Sequence, residues 1–218
     1  MTAGRLILVR HGVTEWNRER RFQGQIDTPL SGEGLEQAAL VARRLSREPI
    51  AAVYSSDLLR AWQTAEPIAR GLGLPLQAEP GLRERAYGDF EGRTFDEIKQ
   101  DFADAYRRWR AREPDFELPG SGESLRDFHG RVERTVHSIA LRHPGQAIVL
   151  VTHGGVLDSA YRIGSGLPLT AARQFDLLNG SLNTIGWDGR DYSLDRWADV
   201  EHLSGALDDI EARGRDSP

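Results

Sequence analysis

Two apolar runs in this chain end in the same way. Leu6–Val9 and Ile148–Val151 are each followed by one polar residue and then His-Gly, in LILVRHG and IVLVTHGG. Continuous rather than alternating apolar runs read as strands buried on both faces, as in a parallel sheet with helices above and below it. Arg10, His11 and His153 are costly to bury at such a place without partners. Ligands of open parallel sheets bind beyond the carboxyl ends of the strands, where both histidines fall. If the two strands are neighbours, the imidazoles face one crevice. Gly12, Gly154 and Gly155 allow a tight exit and close backbone approach. One histidine at a strand end is commonly a packed, hydrogen-bonded residue; two at matching positions point to a site.

The rest of the chain supplies a frame. Residues 31–47 read as a helix capped by Ser31, with Leu35, Ala38, Ala39, Ala42 and Leu45 in one apolar stripe. Residues 50–56 form a second strand. A helix over 57–73 follows, capped by Asp57 or Ser56 and kinked or divided at Pro67. Residues 74–82 give a short edge-like strand between prolines. Residues 94–142 are helical in pattern around a loop at 113–123, and 147–155 is a further strand. Residues 181–197 read as a hairpin turning at Asp188-Gly189. The alternation predicts one α/β domain over 1–203 with a mostly parallel sheet, and a polar, frayed tail over 204–218.

Composition narrows the function. A length of 218 residues suits one large α/β domain. The absence of cysteine excludes disulfides, thiolate nucleophiles and Cys-ligated metals. The start, MTAGRLILVRHG, lacks the apolar length of a secretory core, and no run approaches the roughly 18 residues of a membrane span. The expectation is a soluble, cytoplasmic protein with no membrane partner. A net charge of −5 gives no general attraction to nucleic acid, so any bound anion must be held by local positive charge. Arg10 and Arg60 can supply it at the carboxyl edge, arginine being suited to a bidentate grip on phosphate, and Asn17 can add a neutral donor. The alternative for Arg60 is a surface pair with Asp57, worth under about 1 kcal/mol. His129, His137, His143 and His202 have no metal-site spacing. There is no P-loop or dinucleotide fingerprint, since Gly-Ser-Gly at 120–122 follows no strand.

LVRHGVTEWN, SSDLLRAWQTA, LRERAYGDFEG, PGSGESLRDFHGRV and LVTHGG together, in this order over about residues 5–187, resemble the histidine phosphatase superfamily, the phosphoglycerate-mutase-like family. The resemblance implies a three-layer α/β fold: a mostly parallel central sheet, helices on both faces, and a helical insertion over the site at about 94–130. It implies roles as well. His11 looks like the nucleophile, Glu84 like the proton donor and acceptor, and Arg10, Arg60 and His153 like the phosphate pocket. Asn17, Gln23, Gly24, Arg85, Tyr87 and Gly154 look like substrate contacts.

Phosphate monoester hydrolysis needs accelerations of up to about 10²¹. Arg10, Arg60 and a protonated His153 would stabilise charge on the transferred oxygens. A neutral His11 would form a phosphohistidine, its tautomer fixed by a carbonyl on the other nitrogen. Glu84 must carry a proton when substrate is bound, which a phosphate dianion favours; its alternative is an ion pair with Arg83 or Arg85. The scheme needs no metal and no cofactor, apart from 2,3-bisphosphoglycerate if the chain is a mutase. Such mutases carry an extra lysine and an arginine pair for the substrate carboxylate. Here Lys99, the only lysine, stands late, and Arg107-Arg108, Arg110 and Arg112 are either that pair or a solvated helix face. The resulting expectation is a phosphatase of the broad branch, acting on a small phosphorylated metabolite. A phosphoglycerate mutase is the alternative, and a non-catalytic phosphate-binding module a second. Trp16 and Trp109 could line the mouth or belong to the core. Oligomeric state stays open, a homodimer among the options.

Overall fold

The structure, a computed structural model, describes residues 4–203; the tail expected over 204–218 lies outside the described residues. In chain order the elements are β1 (Gly4–Arg10), α1 (Glu15–Arg18), α2 (Gly32–Leu45), β2 (Ile50–Ser55), α3 (Leu59–Leu72) and β3 (Leu76–Ala78). Then come α4 (Phe95–Asp101), α5 (Ala103–Arg110), α6 (Leu125–Arg142), β4 (Ala147–Thr152), α7 (Gly154–Ser165), β5 (Leu182–Trp187) and β6 (Tyr192–Asp199). The strands form one sheet in the order β3-β2-β4-β1-β5-β6. The first four strands run parallel, and the β5–β6 hairpin joins β1 antiparallel. This is the α/β architecture expected, with the apolar runs as neighbouring central strands and Arg10 opposite Thr152.

Period-two alternation splits each run between two cores. Leu6, Leu8, Ile148 and Leu150 pack under α6 and α7, against Val132, Val136 and Leu157. Ile7, Val9, Val149 and Val151 pack under α2 and α3, against Val41, Leu45 and Ile68. Each such side chain contributes about 1.5–3 kcal/mol of burial. The sheet is therefore held rigidly from both faces, and its carboxyl edge is a fixed platform. A third cluster of Phe22, Phe90, Ile98 and Leu118, with Phe95, Phe102 and Trp109 at its margin, anchors α4 and α5 across that edge. Among the described residues no helix is long and apolar enough to cross a membrane.

Several local expectations are corrected. Ser31 does cap α2, but Leu35 and Ala39 are exposed, and the inward stripe is Gly34, Gln37, Ala38, Val41 and Leu45. The helix is rotated because Gly34 meets the Val13 backbone and Gln37 Oε1 accepts from Val13 N–H at 2.9 Å. Helix α3 runs through Pro67 undivided; one lost backbone bond is outweighed by the buried Ala61, Ala65, Ile68 and Ala69. Neither Asp57 nor Ser56 caps it. Leu58 holds the cap position, and Asp27 Oδ1, from a distant loop, accepts from Leu59 N–H at 2.6 Å. The helix expected from residue 94 breaks at Phe102, whose ring turns into the third cluster. The strand expected to 155 ends at Thr152, and Gly154-Gly155 open α7. Two glycines are poor helix formers, so the sequence reads there as an exit.

Candidate active site

His11 follows the last residue of β1 and is only 3% exposed. Its Nδ1–H donates to Gly12 O at 2.7 Å. That carbonyl can only accept, so Nε2 carries the lone pair. Gly12 is wedged against the Gly34 backbone, where a Cβ would stand 2.5 Å from an oxygen, and its N–H donates to Thr64 Oγ1. Asn179 Nδ2 donates to His11 O at 2.9 Å. The His153 ring, fully buried at the cap of α7, lies 5.2 Å from the His11 ring between centroids, and its Nε2 is 2.8 Å from Ser56 Oγ.

Arg10 and Arg60 are buried, and their hydrogen bonds go to backbone carbonyls. Arg10 Nη1 donates to Leu177 O. Arg60 donates through Nη1 to Ile26 O at 2.9 Å and through Nη2 to Gly24 O at 2.7 Å. The alternative partner, Asp57, is taken bidentately by Arg83. Arg10 Nε, Arg60 Nε and His153 Nδ1 are buried with no hydrogen-bond partner. Unpaired buried polar atoms are expensive. Three of them, on two guanidiniums and an imidazole, fit a tetrahedral oxyanion.

This cluster controls the histidines' protons. Burial, then Arg60 and Arg10, hold His11 well below the usual imidazole range, against the Gly12 bond. Burial, then Arg60, His11 and Arg10, do the same to His153. With only the protein's own groups around it the His153 ring favours its neutral form; the protonated His153 expected from sequence belongs to the phosphate-bound state, where an added dianion favours the cation. Burial also lowers the Arg60 guanidinium to about 10, partly opposed by Glu84 and Asp27, which leaves it charged at neutral pH.

Glu84 approaches from the segment between β3 and α4. Its Oε1 accepts from Arg85 N–H at 2.8 Å and its Oε2 from Gly155 N–H at 3.0 Å, in the first turn of α7. Arg83 is committed to Asp57, and the Arg85 guanidinium donates to Glu123 O.

A cavity of about 270 Å³ opens here, lined by Arg10, His11, Arg60 and Glu84. Asn17, Gln23, Gly24, Arg85 and Tyr87 line it too, and so do Trp16 and Trp109. His153 and Gly154 do not; Gly155, one residue later, does. Gly154 is buried at the start of α7, between His153 and the lining Gly155. Lys99 is exposed on α4, outside the lining. Arg107 pairs with Asp104 and Arg108 with Glu113, while Arg110 and Arg112 reach the cavity. Sequence reasoning missed Ser56, Thr64 and Asn179 as supports, and Asp158 and Arg173 as lining. Ser56 alone had a signal, its place at the end of β2. Among the described residues no group of three or more His, Asp or Glu side chains is placed to hold a metal ion.

The arrangement offers a lone-pair nitrogen, a cluster of cationic and orphaned donors, and a carboxylate on backbone N–H groups. These are the parts for taking up and releasing a phosphoryl group. A model of the histidine phosphatase superfamily (branch 1) matches residues 6–200. The chain is 40% identical over 202 residues to phosphoglycerate mutase-like protein 4 of Arabidopsis thaliana, covering 91% of this chain and 86% of that protein. It is 40% identical over 203 residues to a metal-independent phosphoserine phosphatase of the same plant, covering 91% and 83%. The solved structure of Bacillus stearothermophilus YhfR superposes with a TM-score of 0.84 at 36% identity, covering 91% of this chain and 98% of that one.

Proposed function

The chain belongs to the histidine phosphatase superfamily, and from that premise we propose that it hydrolyses a small phosphomonoester through a phosphohistidine on His11. The observation that carries the proposal is the convergence of His11, His153, Arg10 and Arg60 at one carboxyl edge, three of their buried polar atoms being unpartnered. The phosphate would sit among them. Nε2 of His11 attacks phosphorus, the ester P–O bond breaks, and the leaving oxygen takes a proton from Glu84. Water then attacks phosphorus, the P–Nε2 bond breaks and returns the lone pair to His11, Glu84 takes a proton from that water, and inorganic phosphate leaves. Arg10, Arg60 and a His153 charged by the incoming dianion stabilise the equatorial oxygens, each donor worth about 2.7–4 kcal/mol by analogy with oxyanion holes. Gln23, Arg85 and Tyr87 face the leaving group. No step uses a metal.

A mutase reading has its own support in the name of the mutase-like plant relative. The exposed Lys99 weighs against it, because the one lysine stands outside the cavity. The test is a panel of phosphate esters without added metal, including 3-phosphoglycerate with and without 2,3-bisphosphoglycerate. Phosphate release supports hydrolysis. Isomer exchange without release replaces it with the mutase reading, and binding without turnover makes the chain a binding module.

A further inference from the structure

The insertion is anchored on one side by the aromatic cluster around Phe22 and Phe90. Its other side is tied down by a different device. Arg112, just past α5, has a left-handed backbone (φ 56°), strained for a residue with a side chain. That turn sends its guanidinium across to the platform. Nη2 donates to Asp158 Oδ2 on α7 at 2.7 Å, and Nε donates to Leu169 O at 2.7 Å. Asp158 is also held by Arg162 Nε at 2.9 Å, and Arg162 Nη1 donates to Pro168 O. The Arg112 and Asp158 side chains are 20% and 10% exposed, and that of Arg162 is 1% exposed. Burial pushes the Asp158 carboxyl up, but Arg112 and Arg162 outweigh it and keep it ionised.

Arg112 and Asp158 both line the cavity, beside Leu125, Phe128 and Leu177. The bonds of Arg10 and Arg60, by contrast, go to Leu177, Gly24 and Ile26 and involve neither latch residue. The phosphate end and the latch thus have different hydrogen-bond partners, although Leu177 both holds Arg10 and lines the wall beside the latch. We propose that Arg112 is a positioning residue: by latching the insertion onto Asp158 and Leu169 it fixes the cavity wall against which the leaving group packs. The proposal rests on the phosphatase reading and adds a leaving-group determinant to it.

Arg112→Gly is the informative variant, because glycine adopts the left-handed backbone without strain and the aromatic cluster still anchors the insertion. With p-nitrophenyl phosphate, KM should rise about tenfold, the scale of coupling across one charged network, and kcat should stay within about twofold. The inhibition constant of inorganic phosphate should also stay within about twofold, its pocket being untouched. Arg112→Lys should behave similarly, since an ammonium keeps the charge but not the fork. Asp158→Asn should raise KM as well, and combine less than additively with Arg112→Gly. An unchanged KM, or a KM and a phosphate constant rising together, would overturn the proposal. Hydrogen exchange over residues 111–124 reads the latch without turnover. Faster exchange in Arg112→Gly or Arg112→Lys is expected, and unchanged protection refutes the latch even in a protein that hydrolyses nothing. Failure of the wild type on every ester, with the exchange result intact, would instead sink only the phosphatase reading.

Discussion

Replacing Gly155 by alanine separates catalysis from stability. A Cβ built there stands 2.3 Å from Glu84 Oε1, and ordinary contact begins at 3.4 Å. The carboxylate must therefore retreat by roughly 1 Å. Phe128 Cε1, at 3.2 Å, must also give slightly. Retreat breaks or misaligns the bond from Gly155 N–H. Misplacing a reacting group by about 1 Å costs on the order of 10²-fold in rate, or about 2.7 kcal/mol of barrier. Stability should move the other way. Gly155 is the second residue of α7, where alanine gains over glycine at most the interior preference of about 0.5–1 kcal/mol. The assay is kcat on an alkyl phosphate and on p-nitrophenyl phosphate, with a melting curve alongside. The alkyl ester should lose more, because its leaving oxygen needs the proton that Glu84 delivers, and the melting temperature should hold or rise. A wild-type kcat on the alkyl ester would refute the role of Glu84. So would a loss of activity that merely follows a loss of stability.

Other outcomes follow from the buried histidines. His11 and His153 are held well below their unfolded pKa of about 6.5, so below that pH the unfolded chain binds more protons than the fold. Stability is complete above about pH 6.5 and declines as pH falls from there toward the folded values. The melting temperature at about pH 5.5 should lie below that at 7.5, and His153→Asn should flatten the difference. Binding of inorganic phosphate should take up a proton near neutral pH as His153 becomes charged. Calorimetry in two buffers of different ionisation enthalpy measures this, and a buffer-independent heat would contradict it. His11→Ala should still bind inorganic phosphate through Arg10 and Arg60 while turnover falls by at least about 10³-fold.

The strand ends made the centre of this site legible. Two continuous apolar runs read as buried strands, and a buried parallel strand that stops on His-Gly brings its histidine to the carboxyl edge; that the two strands are neighbours came from the structure. Arg60 was legible for the same reason, being fixed in the first turn after β2. Less visible were residues whose role depends on what arrives from far along the chain. Gly155 reads as a loop glycine until Glu84 is seen against it. Asp158 and Arg112, 46 residues apart, have no local pattern linking them. The tilt of α2 was misread because its inward face holds a glycine and a glutamine that serve the Val13 backbone, and hydrophobicity cannot register either. Charge state was the other blind spot. Nothing in LVTHGG shows that the His153 ring is buried beside Arg60, His11 and Arg10, which favour its neutral form.

The central claim is that His11 becomes covalently phosphorylated. Rapid acid-free quench during turnover of a phosphate-labelled ester that the wild type is known to hydrolyse should trap a labelled protein. The label should be lost in acid, survive base, and map to His11; His11→Ala should trap none. An ester hydrolysed with no labelled intermediate at any quench time, or with the label on another residue, would contradict the account.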